Sequence, residues 1–427
     1  MSEAVEDGAA APEPFIPLFA VVPFRLLFGT RLLSQLAVQM LSVAVGWQIY
    51  DLTDSALDLG LVGLVQFLPP LCLTLFVGQV ADRYDRRYVL VGSYGLTFAT
   101  ITGLLGLTLF AKNPLPGIFA LLLVNAAARS FDAPVLQSLI AAVVPRSVLS
   151  RAVAASSSAN KVASIVGPAI GGFLYIGGPA IVYGTCAALM FCALVAILFA
   201  ASPPSSGPRA PMSWAGMLAG LTFIRRREAI LGAISLDLAA VMFGGATALL
   251  PIYARDILAV GPVGLGLLRA GPAAGGILIA FWLSSHGIER RAGRVMYIAV
   301  VVFGLATILF GVAQNMALSL AALIILGGAN MFSVVVRHTM VQVNTPDAMR
   351  GRVAAVNALF AGGSNELGAF ESGVTADWFG APGSVVLGGA ATILSVALWV
   401  WWFPSLGRVD RLDTPLFEEP QAEAAKA

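Results

Sequence analysis

Twelve runs of mostly apolar residues, each long enough to cross a lipid bilayer, constrain the fold of this chain more than any other feature. A membrane-spanning helix needs about 20 predominantly apolar residues, and short polar segments separate runs of that length along most of the 427 residues. The predicted spans 1 to 12 are residues 24–50, 58–81, 88–111, 118–143, 152–176, 179–200, 229–254, 263–285, 295–313, 317–343, 353–378 and 384–403. Only 11% of the residues are charged and 58% are hydrophobic, which is far from soluble composition. The sequence predicts an all-α integral membrane protein with twelve transmembrane helices.

Basic residues are distributed unevenly between the predicted spans. With both termini in the cytoplasm, and with Arg25 at the very start of span 1 counted as cytoplasmic, 18 of the 25 Lys and Arg residues fall in cytoplasmic segments, two (Lys112 and Arg255) in outer loops and five within spans. Cytoplasmic loops of membrane proteins carry such an excess of positive charge. We therefore expect a multi-pass protein of the plasma (cell inner) membrane with both termini cytoplasmic. The acidic segment 1–23 lacks the basic start and cleavage site of a secretory signal, so span 1 is expected to stay in the mature protein.

The chain contains an internal repeat. A charged segment, Gly78 to Arg87, follows span 2, and a second charged segment, His286 to Arg294, follows span 8. Residues 145–156 (PRSVLSRAVAAS) align on residues 346–357 (PDAMRGRVAAVN) at an offset of 201 positions. Two parallel halves of six spans are typical of a pseudo-twofold axis along the membrane normal, with a substrate site near the midplane between the halves.

The boundary between the halves lies in a Pro- and Ser-rich segment, residues 201–213, whose composition disfavours regular structure. Residues 214–228 are apolar at first and end in three arginines before Glu228, which favours either a helix on the membrane surface or a simple lead-in to span 7. The predicted organisation is a cytoplasmic tail (1–23), an N-terminal six-helix bundle (24–200), a cytoplasmic linker with a surface helix (201–228), a C-terminal six-helix bundle (229–405) and a cytoplasmic tail (406–427).

The segment after span 2 carries a recognisable signature. Five of its residues match five of the six fixed positions of the Gly-x-x-x-Asp-Arg-x-Gly-Arg-Arg loop of major facilitator transporters, namely Gly78, Asp82, Arg83, Arg86 and Arg87. At the sixth position Asp85 replaces glycine. The chain resembles this superfamily over its whole length. The resemblance implies the major facilitator fold, two pseudo-symmetric six-helix bundles, and implies that the loop latches one state of a transport cycle.

Two further segments resemble a particular branch of that superfamily. The surroundings of Arg31 in span 1 and the segment TPDAMRGRVAAVN after span 10 are similar to those of proton antiporters that export drugs and siderophores. In span 5, Gly167, Pro168, Gly171 and Gly172 resemble the end of the antiporter signature. The alternative for these four residues is ordinary close packing, because small residues let membrane helices approach one another.

The latch has a physical basis in the residues themselves. Asp82 can accept hydrogen bonds from exposed N–H groups at the start of span 11, which we place near residues 352–354. Such a contact exists in only one arrangement of the two halves. The alternative is that the arginines of the segment only fix topology through their positive charge.

Ionisable residues within the spans are candidate site residues, because a charge at membrane depth is costly unless it faces a cavity or a partner. In span 1, Arg31, Gln35, Gln39, Ser42 and Gly46 recur on one helical face, which we expect to border the central cavity. The resemblance implies that spans 1, 4, 7 and 10 line that cavity. The predicted cavity residues are Arg31, Gln35, Gln39, Arg129, Lys161, Asn330, Arg337 and His338.

Four acids are predicted to couple transport to protons: Asp237, Glu366, Asp132 and Glu371. Desolvation disfavours the charged form of a carboxyl group, so an acid in an apolar span can bind and release a proton. Asp132 has an alternative role as the structural partner of Arg129, three residues earlier on one helix. His338 has the alternative role of a hydrogen-bonded structural histidine.

These features predict a proton-coupled secondary transporter that exports a small organic or amphipathic molecule, such as a drug or siderophore, by alternating access. The alternatives are an importer or lipid flippase on the same fold, and a non-transporting receptor or scaffold. We expect no direct use of ATP, because the sequence has no Gly-x-x-x-x-Gly-Lys phosphate loop. We also expect no enzyme activity, metal or cofactor, because it has neither a metal-ligand cluster nor a Gly-x-Ser-x-Gly nucleophile turn. The predicted partners are the substrate, protons and membrane lipids, with no nucleic acid, and the protein is expected to be a monomer.

Overall fold

The described part of the chain contains twelve helical spans, as predicted. The structure is a computed structural model that describes residues 17–200, 214–288 and 290–412. The spans are Val22–Thr53, Ala56–Arg83, Arg86–Phe110, Leu115–Val143, Leu149–Gly177, Pro179–Leu198, Glu228–Ile257, Gly261–His286, Ala292–Val312, Met316–Val343 and the helical segment Asp347–Trp402, which holds spans 11 and 12. The predicted all-α fold of two six-helix bundles is confirmed. Residues 1–16 and 413–427 of the predicted tails and residues 201–213 of the predicted linker lie outside the described residues.

Spans 11 and 12 are joined by a sharp turn at a single glycine. A straight helix of 56 residues would be about 84 Å long, nearly three times the thickness of the hydrocarbon core. Gly380 interrupts the helix with φ 73° and ψ 160°, a conformation that glycine adopts without steric cost. We call the face of the bundle that contains Gly380 the distal face, and the face where the described chain begins and ends the terminal face.

Spans 4 and 7 are broken where the sequence predicted continuous helices. Span 4 consists of two helices, Leu115–Arg129 and Asp132–Val143. Span 7 begins as a helix, Glu228–Phe243, and then continues through a tighter turn, Ala246–Leu249, to a wider π-helical turn, Tyr253–Ile257. Such irregular turns within membrane helices are tolerated where they are buried in protein or line a cavity. The irregular turn in span 4 lies between Arg129 and Asp132.

A separate helix precedes span 7. It covers Trp214–Arg225, and span 7 begins at Glu228. Of the two alternatives for this segment, the structure therefore contains a distinct helix. It packs on span 11 at Gly220, where an added Cβ would lie 3.0 Å from the carbonyl oxygen of Arg352. The helix thus belongs to the C-terminal half.

Glycines bring the two halves together near the distal face. Span 2 packs on span 11 through Gly60, where an added Cβ would lie 2.9 Å from the Cα of Gly373. Span 5 packs on span 8 through Gly172, where an added Cβ would lie 3.1 Å from the Cα of Gly266. Small residues allow membrane helices to approach this closely. These contacts close the distal side of the protein.

The cleft between the halves opens toward the terminal face. Lys161 lies on the same face of span 5 as Pro168 and Gly172, about two helical turns closer to the terminal face. Its side chain is exposed, whereas Pro168 and Gly172 are buried against span 8. The halves therefore separate between these positions.

Candidate functional site

A small polar cavity lies between the two halves on the distal side of the cleft. It has a volume of about 170 Å³ and is lined by residues of spans 1, 2, 4, 7, 8 and 11. Three of these residues carry charge: Arg129 of span 4, Arg269 of span 8 and Glu366 of span 11. The Glu366 carboxylate interacts electrostatically with both arginines. Because Arg129 belongs to the N-terminal half and the other two to the C-terminal half, this cluster connects the halves.

The cavity charges continue into the N-terminal half as a series of alternating sign. Arg129 also interacts electrostatically with Asp132, and Asp132 with Arg31. The order across the protein is Arg31, Asp132, Arg129, Glu366 and Arg269. With both acids ionised, three positive charges face two negative ones, so the series has a net charge of +1. Each charge has opposite neighbours, which lowers the cost of burying it.

Asp132 has a different environment from the one that its helical spacing suggests. Arg129 lies three residues before it on the same span, but no ion pair between the two is found among the described residues. Asp132 is 8% exposed and accepts a hydrogen bond from Ser93 of span 3. Arg129 and Asp132 thus interact without a direct ion pair among those described, and Arg129 lines the central cavity.

Asp237 is paired inside the C-terminal half. Its Oδ2 lies 3.0 Å from Nε of Arg337, and its Oδ1 accepts a hydrogen bond of 2.7 Å from Ser333. The side chain of Arg337 also donates to Asn357 of span 11. The Nε–H of Arg337 does not point at an acceptor, so the contact with Asp237 is an ion pair rather than an aligned hydrogen bond. Neither residue lines the central cavity in the described part of the chain, which contradicts the predicted cavity position of Arg337.

The two halves carry related charges with their signs exchanged. In the C-terminal half, the acid Asp237 is on span 7 and the cation Arg337 on span 10; in the N-terminal half, the cation Arg31 is on span 1 and the acid Asp132 on span 4. Each arginine donates a hydrogen bond to an asparagine, Arg31 to Asn160 at 2.8 Å and Arg337 to Asn357. Asp237 and Arg337 form an ion pair, whereas no ion pair between Arg31 and Asp132 is found among the described residues.

The predicted polar face of span 1 divides between several surroundings. Ser42 and Gly46 line the central cavity. Gln39 instead donates a hydrogen bond of 2.9 Å to Ser164 of span 5, and Arg31 lines a separate small cavity among spans 1, 4 and 5. Gln35 is half-buried. The prediction that this whole face borders one cavity is wrong, because the packing of span 5 on span 1 covers part of it.

The remaining predicted residues lie away from the central cavity. Lys161 and His338 are exposed, Asn330 and Glu371 are half-buried, and none of the four is among the described residues that line it. Lys161 faces the open cleft, as described above. Glu371 lies on span 11, closer to the distal face than Glu366. The roles of these residues stay predictions.

The charged segment after span 2 is mostly helical. Span 2 continues to Arg83, and span 3 begins at Arg86, so only Tyr84 and Asp85 connect them. Asp85 has φ −60° and accepts a hydrogen bond of 2.9 Å from the N–H of Arg87. This geometry does not require glycine, and the aspartate instead caps span 3.

The predicted latch partners of Asp82 are corrected by the start of span 11. That helix begins at Asp347, so residues 352–354 lie beyond the first four residues, whose N–H groups are exposed at a helix start. The side chain of Asp82 and residue Gly78 lie outside what the structure describes, apart from the helical backbone. Arg83 is exposed, and Arg86 and Arg87 are half-buried. The latch role of these residues stays a prediction.

The glycines of the span 5 motif pack on two different helices. Gly167 and Gly171 lie against Gln39 and Met40 of span 1, in the same half. Gly172 lies against span 8, in the other half. The motif therefore contributes both to the packing within one half and to the contact between the halves.

A second charged cluster, which the sequence did not reveal, lies at the distal face. Arg255 at the end of span 7 forms ion pairs with Asp54 and, at 3.8 Å, with Asp51 at the end of span 1. Its guanidinium also lies over the ring of Tyr50, which donates a hydrogen bond to Asp256. We call these five residues the distal cluster. The only sequence signal is a pair of similar segments, Tyr-Asp at the end of span 1 and Tyr-Ala-Arg-Asp at the end of span 7.

Several cavity residues were also missed. Arg269, Gln66, Asn125 and Asn365 line the central cavity, although none of them was predicted to lie there; Arg269 was a candidate only because it is a charge within a span. Each is a polar residue in an apolar span, which was the available signal. Arg269, Gln66 and Asn365 were overlooked because spans 2, 8 and 11 were not expected to line the cavity, and Asn125, on the expected span 4, was overlooked because only the ionisable residues of that span were considered. Among the described residues no group of His, Cys, Asp and Glu is arranged to hold a metal ion.

Comparison with known proteins places the chain among transporters. Residues 13–425 match the family described as transmembrane secretion effectors. The chain is 31% identical to the enterobactin exporter EntS of Escherichia coli O157:H7 over 344 residues, which cover 77% of this chain and 79% of that protein. Among solved structures, a mutant of the nucleoside transporter NupG has a TM-score of 0.71 at 16% identity, over 90% of this chain and 100% of that one. A bacterial homologue of the lysosomal transporter Spinster, in an inward-facing and unoccupied conformation, has a TM-score of 0.70 at 15% identity, over 90% and 96%.

Proposed function

Because this chain belongs to the major facilitator superfamily, in the family of transmembrane secretion effectors, we propose that it exports a small organic molecule in exchange for protons. The proposal rests on one observation: Glu366 lies in the cavity between the halves and interacts with an arginine from each of them. The terminal face is the cytoplasmic face in this proposal, as the distribution of Lys and Arg favours.

Glu366 is the proposed site of competition between substrate and proton. For antiport, a carrier must bind either the substrate or the proton, so the substrate has to favour the ionised form of Glu366. A hydroxyl or N–H group that donates a hydrogen bond to the carboxylate does this. Protonation removes that interaction and releases the substrate on the opposite side of the membrane.

The two arginines restrict the rest of the substrate. Arg129 and Arg269 offer only donors, and they recognise carbonyl, phenolic or other oxygen atoms. Asn125 and Gln66 can donate and accept. The substrate class is therefore an uncharged molecule that carries hydroxyl and carbonyl groups side by side, as in a siderophore of the kind that the enterobactin exporter is named for.

The size of the cavity sets a further limit. An apolar cavity of about 150 Å³ holds one benzene molecule, and the cavity around Glu366 measures about 170 Å³. It accommodates one ring of a larger substrate, and the remainder then lies in the open cleft near Lys161. When the distal contacts open and the terminal side closes, the cavity becomes accessible from the opposite side of the membrane.

The same charges favour import if the substrate is an anion. An anion held by Arg129 and Arg269 displaces the Glu366 carboxylate, and an unpaired buried carboxylate favours its protonated form. Anion and proton then bind together, which is symport. The direction of proton movement relative to the substrate therefore distinguishes the exporter from the importer.

The decisive experiment uses the purified protein in liposomes that contain a pH-sensitive dye. A gradient of a catecholate siderophore, such as enterobactin, is imposed without any pH gradient, and the movement of protons is recorded. We expect protons to move against the direction of the siderophore. Movement in the same direction, or driven only by sodium, contradicts the proposal.

The variant Glu366→Gln tests the coupling residue. It keeps the size of the side chain but cannot bind or release a proton at this position, so we expect siderophore exchange without net proton movement. Asp377→Asn is the matched control, because it removes an exposed acid from the same span outside the cavity. If Glu366→Gln still couples transport to protons, another acid carries the proton. Asp132, in the same charge series, is then the next residue to be replaced.

A further inference from the structure

We infer that the substrate carries at least two hydroxyl- and carbonyl-bearing groups, and that the second group binds in the small pocket at Arg31 while the first lies in the central cavity. We call this cavity among spans 1, 4 and 5 the Arg31 pocket. The second site rests on the proposed function, because it takes over the substrate class argued there. It adds a further binding site and a required distance between two groups of the substrate.

The Arg31 pocket offers both donors and acceptors of hydrogen bonds. Its polar lining residues are Arg31 of span 1, Gln137 of span 4, and Ser156 and Ser157 of span 5. Arginine has only donors, whereas the side chains of glutamine and serine donate and accept. The pocket can therefore bind a carbonyl oxygen and a neighbouring hydroxyl group together, which is the combination proposed for the substrate.

The guanidinium of Arg31 has two described polar neighbours. Its Nε donates a hydrogen bond of 2.8 Å to Asn160, which uses one of the five N–H donors of an arginine. Asp132 interacts with it electrostatically and accepts a hydrogen bond from Ser93. Because an ionised Asp132 offsets the charge of Arg31, the pocket suits an uncharged group that accepts hydrogen bonds better than a free anion.

Arg31 differs from its counterpart in the C-terminal half. The side chain of Arg337 is 4% exposed, and its Nε lies 3.0 Å from Oδ2 of Asp237. Arg31 is half-buried, lines a pocket, and belongs to none of the described ion pairs. Both arginines donate to an asparagine, so that contact does not account for the difference. A charge within a span that borders a polar pocket is a candidate for binding a ligand.

One side of span 4 connects the Arg31 pocket to the central cavity. Asn125 and Arg129 line the central cavity, and Ala133 and Gln137 line the Arg31 pocket. Residues four apart lie on one side of a helix, and residues 130–131 between the two helices of this span keep helical φ and ψ. A substrate can therefore extend along this side of span 4 from one site to the other.

The pocket opens toward the cleft and holds only part of a group. Its volume is about 100 Å³, less than the roughly 150 Å³ that hold a benzene molecule. Gln137 and Ser157 are exposed, and Lys161, which faces the cleft, lies one turn beyond Ser157 on the same side of span 5. The polar edge of a ring fits the pocket, and the rest of the ring lies in the cleft.

The distance between the two sites sets the spacing of the two groups. On span 1, Ser42 lines the central cavity and Arg31 the pocket, and the helix rises about 16 Å between them. On span 4, the rise from Arg129 to Gln137 is about 12 Å. The linker between the groups therefore has to be about as long as four extended amino-acid residues.

Calorimetric titration of the purified full-length protein with three ligands tests the two-site substrate. The ligands are a single catechol amide, two catechol amides on a flexible linker of about 15 Å, and the same pair on a linker of about 5 Å. The long-linked pair should bind at least about a hundredfold more tightly than the single amide, because its second group binds intramolecularly. The short-linked pair should gain little, because its linker cannot span the two sites. Equal affinity for the long-linked and short-linked pairs overturns the inference.

Two variants with matched controls locate the second site. Arg31→Gln should lower the affinity for the long-linked pair at least about tenfold, as loss of a hydrogen bond to a charged group does, and should leave binding of the single amide unchanged. Arg25→Gln removes the same charge from an exposed position on span 1 and should have no effect.

Ser157→Leu fills the pocket from an exposed position and should give the same loss, even if Arg31→Gln impairs folding. Its control is Ser158→Leu, at the next exposed position of span 5, which is not among the residues that line the pocket. If variants and controls behave alike, the second group binds elsewhere and the inference fails.

Failure of the proposed function gives a different result. If protons do not move against the siderophore in liposomes, but the preference for the long linker depends on Arg31 and Ser157, proton exchange is wrong and the two-site substrate stands. If none of the three ligands binds, the substrate class is wrong, and both the proposed substrate and the second site are refuted.

Discussion

Asp237 and Arg337 form a buried ion pair between spans 7 and 10, with Oδ2 and Nε 3.0 Å apart and side chains 8% and 4% exposed. A carboxylate held in this way is a poor proton carrier unless the pair separates. The Glu366 carboxylate, in contrast, lines a cavity together with Arg129 and Arg269. None of the described ion pairs includes Glu366. This difference favours Glu366 over Asp237 as the coupling acid.

The first prediction concerns the stability of the C-terminal half. Asp237→Asn leaves the charge of Arg337 buried without a counter-charge, which should lower the free energy of unfolding by about 3–5 kcal/mol. Adding Arg337→Gln to that variant should recover part of the loss, because the unpaired charge is gone. Thermal unfolding of the purified variants measures both effects. An Asp237→Asn protein of normal stability that transports without proton coupling would restore Asp237 as the coupling acid.

The second prediction concerns the distal cluster. Arg255→Gln removes the cation that joins the end of span 7 to Asp54 and Asp51 of span 1. Exposed ion pairs contribute up to about 1 kcal/mol, so the population open at the distal face should rise up to about fivefold. Reaction of a cysteine introduced at Ser42 with a thiol reagent added from the distal side reports this opening. Lys112→Gln in the loop between spans 3 and 4 is the control. An equal increase in the reaction rate of the cysteine in that variant would refute a role of Arg255 in holding the distal side closed.

The third prediction concerns the contact between spans 5 and 8. In Gly266→Ala the added methyl group meets the carbonyl oxygen of Pro168, and crowding of this kind costs about 1–3 kcal/mol. The cost is paid only in the closed arrangement, so distal accessibility should rise and the transport rate should fall at least about fivefold. Gly184→Ala in span 6, where a methyl group meets nothing within 4 Å, should transport normally. A Gly266→Ala protein with normal transport would show that this contact opens little during the cycle.

The fourth prediction concerns Asp85, the residue that departs from the superfamily pattern. Because its carboxylate caps span 3, Asp85→Ala should reduce stability by about 0.5–2 kcal/mol, whereas Asp85→Gly should cost only a few tenths. Thermal unfolding of the two variants compares them directly. If glycine costs as much as alanine, the cap is not the main contribution of Asp85.

The sequence predicted the positions of most transmembrane helices well. Backbone groups cannot remain unpaired in hydrocarbon, so an apolar run of sufficient length has to be a helix. The positions of spans 3 and 6, for example, differ from their predicted bounds by no more than about two residues. The short irregular turn at Ser130 and Phe131 within span 4 was not predicted, because no residue pattern at 130–131 indicates it.

The candidate site was predicted only in part. Arg129 and Glu366 were identified because a charged side chain within a membrane span is energetically costly. The structure places both in one cavity. Arg337 and Gln39 were assigned to that cavity because they lie on spans expected to line it. Each instead binds a polar partner within its own half.

The sequence alone therefore determined which segments cross the membrane, how they divide into two halves and which buried polar residues need a partner. Only the tertiary structure decided which partner each residue has. Hydrophobicity fixes the length and depth of a membrane helix, but every apolar side chain is equally well solvated by lipid and so carries little information about rotation. The rotation of each helix, set by the close contacts of residues such as Gly172 and Gly266, placed Glu366 between Arg129 and Arg269 and left Asp237 with Arg337.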